Sequence, residues 1–95
     1  VIHKLKNIIP GDEMIQLYVS ARCPFCQKVL AAAKKLGLKE GKDFSTIDAA
    51  PGTPGSEVVV RVGGDYMVPF LIDGDTSMYE SDDIIVYLKK SMSQA

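Results

Sequence analysis

Between residues 14 and 37 the hydrophobic repeat of this chain changes once, from a period of two to a helical period, and the change falls on Cys23-Pro24-Phe25-Cys26. Upstream, Ile15, Leu17 and Val19 alternate with Gln16, Tyr18 and Ser20, so residues 14–20 read as a strand. Downstream, Phe25, Val29, Ala33 and Leu36 recur at helical spacing, with Cys26, Leu30 and Ala33 on an overlapping stripe. Pro24 fits a first helical turn, where its missing N–H has no partner to lose. Lys34 and Lys35 suit the negative end of the helix, and Gly37 supplies the stop. A strand running straight into a helix commits the chain to a layered α/β arrangement.

That junction holds both cysteines of the chain. A sulfur over a helix N-terminus meets unpaired N–H groups and the positive end of the dipole, and both stabilise a thiolate. The pair therefore points to a reaction. A structural disulfide is the weaker reading, because so short a loop gives little chain-entropy stabilisation. Zinc is weaker still: a structural site wants four Cys or His ligands, and the single histidine, His3, lies far off near the N-terminus. No metal is expected.

Further along, residues 42–48, led by Phe44 and Ile47, form a second strand candidate, and residues 49–56 a Pro/Gly-rich connection. Residues 57–62 carry three consecutive valines, which favour a strand locally, but their place between two strands favours a crossover helix; helix is the reading adopted. Pro69 fits the opening of a strand over residues 68–73, Gly74-Asp75 a tight turn, and residues 76–79 the return strand of a hairpin. Ser81 is suited to cap a last helix with Asp82 and Asp83 in its first turn and Ile84, Ile85, Leu88 and Met92 on its buried face.

The 95 residues suit one domain with a single core. Val1, Leu5 and Ile8 share a helical face before Pro10-Gly11 break it, so residues 1–12 read as an N-terminal arm and 13–95 as the domain. A net charge of −1 lacks the basic stripe of a nucleic-acid surface, and no apolar run is long enough to cross a bilayer. Neither nucleic acid nor membrane is an expected partner. A reducing cytoplasmic location is expected, although a chain that begins at Val1 is compatible with a trimmed export signal.

The order strand, helix, strand, helix, strand, strand, helix, with Cys-Pro-Phe-Cys after the first strand and Val68-Pro69 opening the third, resembles the thioredoxin superfamily. Within it the chain looks most like a dithiol glutaredoxin, over about residues 14–92. Glu80-Ser81 is also similar to the acid- or amide-Ser pair of the glutathione transferase N-terminal domain. The resemblance implies a thioredoxin-like α/β fold, a mixed four-stranded sheet flanked by helices in the order βαβαββα. It also implies a monomeric glutathione-dependent thiol–disulfide oxidoreductase acting on disulfide-bonded or glutathionylated proteins, with glutathione as co-substrate.

By that resemblance Cys23 is the nucleophile and Cys26 the resolving thiol. Pro69 is cis and turns the backbone of Val68 toward the substrate cysteine. Ser81 and Asp82 hold the γ-glutamyl end of glutathione, and Phe25, in place of the common tyrosine, shields the sulfurs. Two positions depart from the pattern: Ser20 stands where many glutaredoxins carry lysine, and Met67 where threonine usually precedes Val-Pro. The glycine carboxylate of glutathione then needs another cation, with Arg22 or Arg61 as candidates. Alternatives are reduction by thioredoxin reductase, an iron–sulfur module shared by a dimer, and a non-catalytic glutathione-binding domain.

Overall fold

The computed structural model describes residues 14–93. The N-terminal arm lies outside the described residues, as does the side chain of Met92. Seven elements follow in chain order: β1 (Ile15–Val19), α1 (Pro24–Lys35), β2 (Phe44–Asp48), α2 (Pro54–Gly63), β3 (Phe70–Asp73), β4 (Thr76–Met78) and α3 (Ser81–Ser93). They form one mixed sheet in the order β2-β1-β3-β4. β1 pairs with β2 in parallel and with β3 antiparallel, and β3 and β4 make the hairpin. This is the thioredoxin-like arrangement that the element order predicts. No described helix is long and apolar enough to cross a membrane.

The period-two pattern of β1 divides two cores. Ile15 and Leu17 join Val29, Ala33, Phe44, Leu71, Ile84 and Leu88 beneath α1 and α3. Tyr18 points the other way, into a second cluster with Ala49, Val59 and Phe70 beneath α2. Because helices cover both faces, the "polar" phase of β1 is buried at Tyr18 rather than solvated. Burying side chains of this size contributes roughly 1.5–3 kcal/mol each.

Several predicted boundaries shift, each for a local reason. Strand β1 loses Met14 and Ser20, β2 begins at Phe44 rather than residue 42, and β4 ends at Met78. Strand β3 begins at Phe70, since Pro69 has no N–H to give a ladder; the Val68–Pro69 peptide is cis, as the resemblance implies. Helix α2 starts inside what the sequence suggests is a connection. Thr53 caps it, its hydroxyl accepting the Ser56 N–H at 3.2 Å, and Pro54 occupies the first helical position. The helix ends where Gly64 turns left-handed, at φ 93°. Phe25, predicted on the inner stripe of α1, is instead 60 % exposed, because the first turn of that helix projects past the sheet edge into the site described below.

One close approach fixes α2 on the sheet. Gly55 is buried, and a Cβ added to it would lie 2.1 Å from the backbone oxygen of Asp48 at the end of β2. Relief would require backbone movement, not a side-chain rotation. Gly55→Ala is therefore expected to destabilise the domain by about 1–3 kcal/mol, the usual scale of overpacking. A lower urea midpoint with an unchanged slope would show it, whereas an unchanged midpoint would refute the packing argument.

Candidate active site

The turn between β1 and α1 brings the two cysteines into unlike surroundings. Cys23 is the N-cap of α1, with extended backbone at φ −92° and ψ 114°, and its sulfur accepts the Cys26 N–H at 3.2 Å. A thiolate-forming side chain thus fills the role usually taken by Ser, Thr, Asp or Asn, directly at the positive end of the helix. Cys23 is half-buried, and its thiol donates to the Val68 carbonyl at 3.7 Å. Cys26, one turn inward, is fully buried and receives the Ser20 N–H on its sulfur at 3.5 Å. Both cysteines are free thiols.

Burial pushes the Cys26 thiol from an ordinary value of 9.0 up to about 12, and a hydrogen bond and negative charge from Cys23 push the same way. The Ser20 N–H opposes them by stabilising the thiolate. Cys26 is therefore a neutral, proton-holding thiol at physiological pH. The sign of the linkage follows. Above about pH 9 the unfolded chain releases a proton that the native chain keeps, so stability is full below that pH and falls as pH rises toward 12. Wild-type protein is expected to lose stability over pH 9–10.5 with a slope steeper than Cys26→Ser, by up to about 1.4 kcal/mol per pH unit. Parallel slopes in urea titrations of the two proteins would exclude this coupling.

Beside Cys23 runs a groove of about 290 Å³, lined by Phe25 and Lys28 of α1, by Met67, Val68 and Pro69, and by Glu80, Ser81 and Asp82 at the start of α3. Five of the residues anticipated from the sequence therefore meet on one cavity: Phe25, Val68, Pro69, Ser81 and Asp82. Arg22 does not join them; it is exposed on the turn before Cys23. Arg61 is also elsewhere. With Tyr66 and Val60 it lines a second, more apolar cavity of about 460 Å³ against α2.

Ser81 is not the cap expected of it. The Glu80 carbonyl accepts the Ile84 N–H at 3.0 Å, so Glu80 is the N-cap and Ser81 the first helical residue. The residue is buried, at 8 % exposure, and lines the groove wall. Glu80 reaches this position with φ 73°, the one described non-glycine residue in the left-handed region. Such a conformation costs on the order of 1–3 kcal/mol.

Two contributors, Lys28 and Tyr66, escaped the sequence reading, and a third, Glu80, was read only as the partner of Ser81 in an acid-Ser pair. Lys28 forms an ion pair with Asp82, Nζ to Oδ1 at 2.6 Å, across the groove from α1 to α3. Its spacing of three from Phe25 places both on one helix face, a signal that was available. Glu80 lines the groove as well as shaping it. Tyr66 donates its hydroxyl to the Ala49 carbonyl at 2.8 Å, and its pKa is raised by burial first and then by Cys26, Cys23 and Asp48, which sets the phenol within electrostatic reach of both sulfurs. No local pattern announces that placement.

The mixed sheet with its three described helices, and a cysteine pair where β1 gives way to α1, make this a thioredoxin-like domain. The glutathione S-transferase N-terminal domain family matches residues 17–94, and the chain belongs to that family. Solved structures with the same fold include the tau-class glutathione S-transferase of mango, Mangifera indica, at 15 % identity over 87 % of this chain and 36 % of that one (TM-score 0.69). Ure2p in complex with glutathione matches at 24 % identity over 87 % of this chain and 35 % of its own (TM-score 0.69). The glutaredoxin of Archaeoglobus fulgidus matches at 24 % identity over 79 % of this chain and 85 % of its own (TM-score 0.59). The chain thus spans about a third of the first two proteins and most of the length of the glutaredoxin.

Proposed function

We propose that this chain is a glutathione-dependent thiol–disulfide oxidoreductase that reduces glutathionylated or disulfide-bonded proteins, with Cys23 as nucleophile and Cys26 as resolving thiol. The observation that carries the reading is the asymmetry of the pair: a half-exposed sulfur at a helix N-terminus, one turn from a buried thiol held neutral. A structural role would need no such difference.

With a glutathionylated protein, the Cys23 thiolate attacks the sulfur of the glutathionyl group. The Cys23–glutathione bond forms as the protein–glutathione bond breaks, and the protein leaves as a thiolate that takes a proton from water. A second glutathione thiolate then attacks the bound glutathionyl sulfur, releasing glutathione disulfide and restoring Cys23. With a protein disulfide, the mixed disulfide on Cys23 is resolved by Cys26. That thiol bonds to the Cys23 sulfur and expels the second protein thiolate, which takes up the proton Cys26 loses. Two glutathiones then return the Cys23–Cys26 disulfide to the dithiol. Once Cys23 is capped it no longer contributes charge or a hydrogen bond that holds the Cys26 proton, while the Ser20 N–H still favours the thiolate. Burial, the largest cause of the raised pKa, persists, so capping Cys23 eases the ionisation of Cys26 without removing its main cost.

In this reading the cysteinyl backbone of glutathione pairs with Val68 and its γ-glutamyl end lies at Ser81 and Asp82, along the groove that also contains Phe25 and Pro69. The cycle requires a reducing, glutathione-rich compartment. A second reading is favoured by the family match: the chain as the glutathione-binding part of a transferase, with the electrophile's site built by sequence outside it.

Reduction of a cysteine–glutathione mixed disulfide, followed through NADPH consumption with glutathione reductase, tests the proposal. Turnover that depends on glutathione is expected. Turnover with thioredoxin reductase alone would reassign the electron donor. Absence of reduction together with glutathione conjugation to 1-chloro-2,4-dinitrobenzene would favour the transferase reading.

A further inference from the structure

The ion pair across the groove suggests how the amino-acid end of a ligand is recognised, given the glutathione-dependent reading above. Lys28 Nζ sits 2.6 Å from Asp82 Oδ1, joining α1 to the first turn of α3 beside Ser81. Both side chains are largely exposed, at 51 % and 80 %, so the pair is not a fold-stabilising contact of any size. Its location is what matters. The charged groups on the groove wall are one base, Lys28, and two acids, Glu80 and Asp82.

A γ-glutamyl end brings an ammonium and an α-carboxylate on one carbon. Its ammonium competes with Lys28 for Asp82, and its carboxylate needs a cation close by. Among the charged residues lining this groove, the one cation is Lys28 itself. We propose that Lys28 is an exchangeable latch: it holds Asp82 while the groove is empty and turns onto the ligand's α-carboxylate when the ligand's ammonium replaces it. A long, flexible lysine suits this exchange, because the shift needs side-chain rotation and no backbone movement. The exchange replaces the one ion pair within the protein by two with the ligand, one at each partner. Lys28 is in this sense a specificity-determining residue for ligands that carry both charges; a ligand with the carboxylate alone meets two acids and one already paired base.

Calorimetric titration of the full chain with S-methylglutathione, which has no thiol to react, tests the latch. Two analogues complete the set: one with 4-aminobutyrate in place of the γ-glutamyl residue, which lacks the α-carboxylate, and one with glutarate, which lacks the ammonium. Lys28→Met is expected to weaken S-methylglutathione roughly tenfold, the scale of one charge-assisted hydrogen bond. The same variant should leave the 4-aminobutyryl analogue unweakened, and Lys28→Arg should restore most of the loss. Equal effects on both ligands, or none on either, would overturn the latch, as would tighter S-methylglutathione binding by Lys28→Met, which would make the lysine a competitor only. If wild type binds S-methylglutathione and Lys28→Met binds it equally well, the latch alone fails. If wild type binds none of the three ligands, the glutathione reading fails and the latch with it.

Discussion

Cys23→Ser is expected to abolish glutathione-dependent reduction of mixed disulfides, to the background of the uncatalysed reaction, while leaving the fold intact. The two halves of that expectation have separate causes. A serine hydroxyl is not ionised at neutral pH and is a poor nucleophile toward disulfide sulfur, so the chemistry stops. Serine is also among the best N-cap residues, and the Cys26 N–H that now points at sulfur would point at its oxygen. Circular dichroism and urea midpoint should therefore stay near wild type. Cys26→Ser should behave differently, keeping the reaction with glutathione mixed disulfides, which needs one thiol, and losing most reduction of protein disulfides, which needs two. Activity in Cys23→Ser, or its complete absence in Cys26→Ser toward glutathione mixed disulfides, would reverse the roles assigned to the pair.

The largest stability effect is expected from Phe70→Ala. Phe70 is 1 % exposed, follows Pro69, and packs its ring between Tyr18 at 6.1 Å and Tyr79 at 4.7 Å between centroids. Truncation removes the centre of the core beneath α2 and leaves a cavity that Tyr79 cannot readily fill. Its hydroxyl is bonded to the Asp65 backbone, donating to O at 2.5 Å and accepting from N at 3.1 Å. A loss of about 3–5 kcal/mol is expected, a large share of the roughly 5–15 kcal/mol that holds a domain of this size. That corresponds to a fall in Tm of more than about 10 °C. Val86→Ala, on the outer face of α3 and 49 % exposed, serves as control and should change stability by less than about 0.5 kcal/mol. A similar small change in Phe70→Ala would contradict the two-core description.

What the sequence made legible was whatever is encoded within one turn or one strand. The switch of period around residue 23 located β1 and α1 to within a residue, because burial on alternating faces and on a helical stripe repeats at fixed local spacing. Thr53-Pro54 misled because Thr, Pro and Gly are at once turn residues and ideal residues for a helix start; only the apolar residues downstream, with Val59 buried, separate the two. Phe25 misled for the opposite reason: its spacing fits the inner stripe, but the stripe runs past the end of the core there. The Lys28–Asp82 pair joins residues 54 apart in sequence, and the bond from Tyr66 to Ala49 joins residues 17 apart. Contacts of that kind follow from how α1, α3 and the loop before Pro69 dock, so no local pattern carries them. The groove was recoverable in outline because both of its walls begin at a recognisable point, the cysteine motif on one side and Glu80-Ser81-Asp82 on the other. Its two acids were legible with that point, and its base, Lys28, was not.

Glu80 marks where two kinds of selection pull apart. Its left-handed backbone is one that glycine adopts at no steric cost, so heat tolerance alone would favour glycine at that position. The same substitution would strip an acid from the groove wall and leave Asp82 to face Lys28 alone. A lineage kept for endurance and one kept for ligand choice would be expected to diverge first at this residue, well before either altered a cysteine.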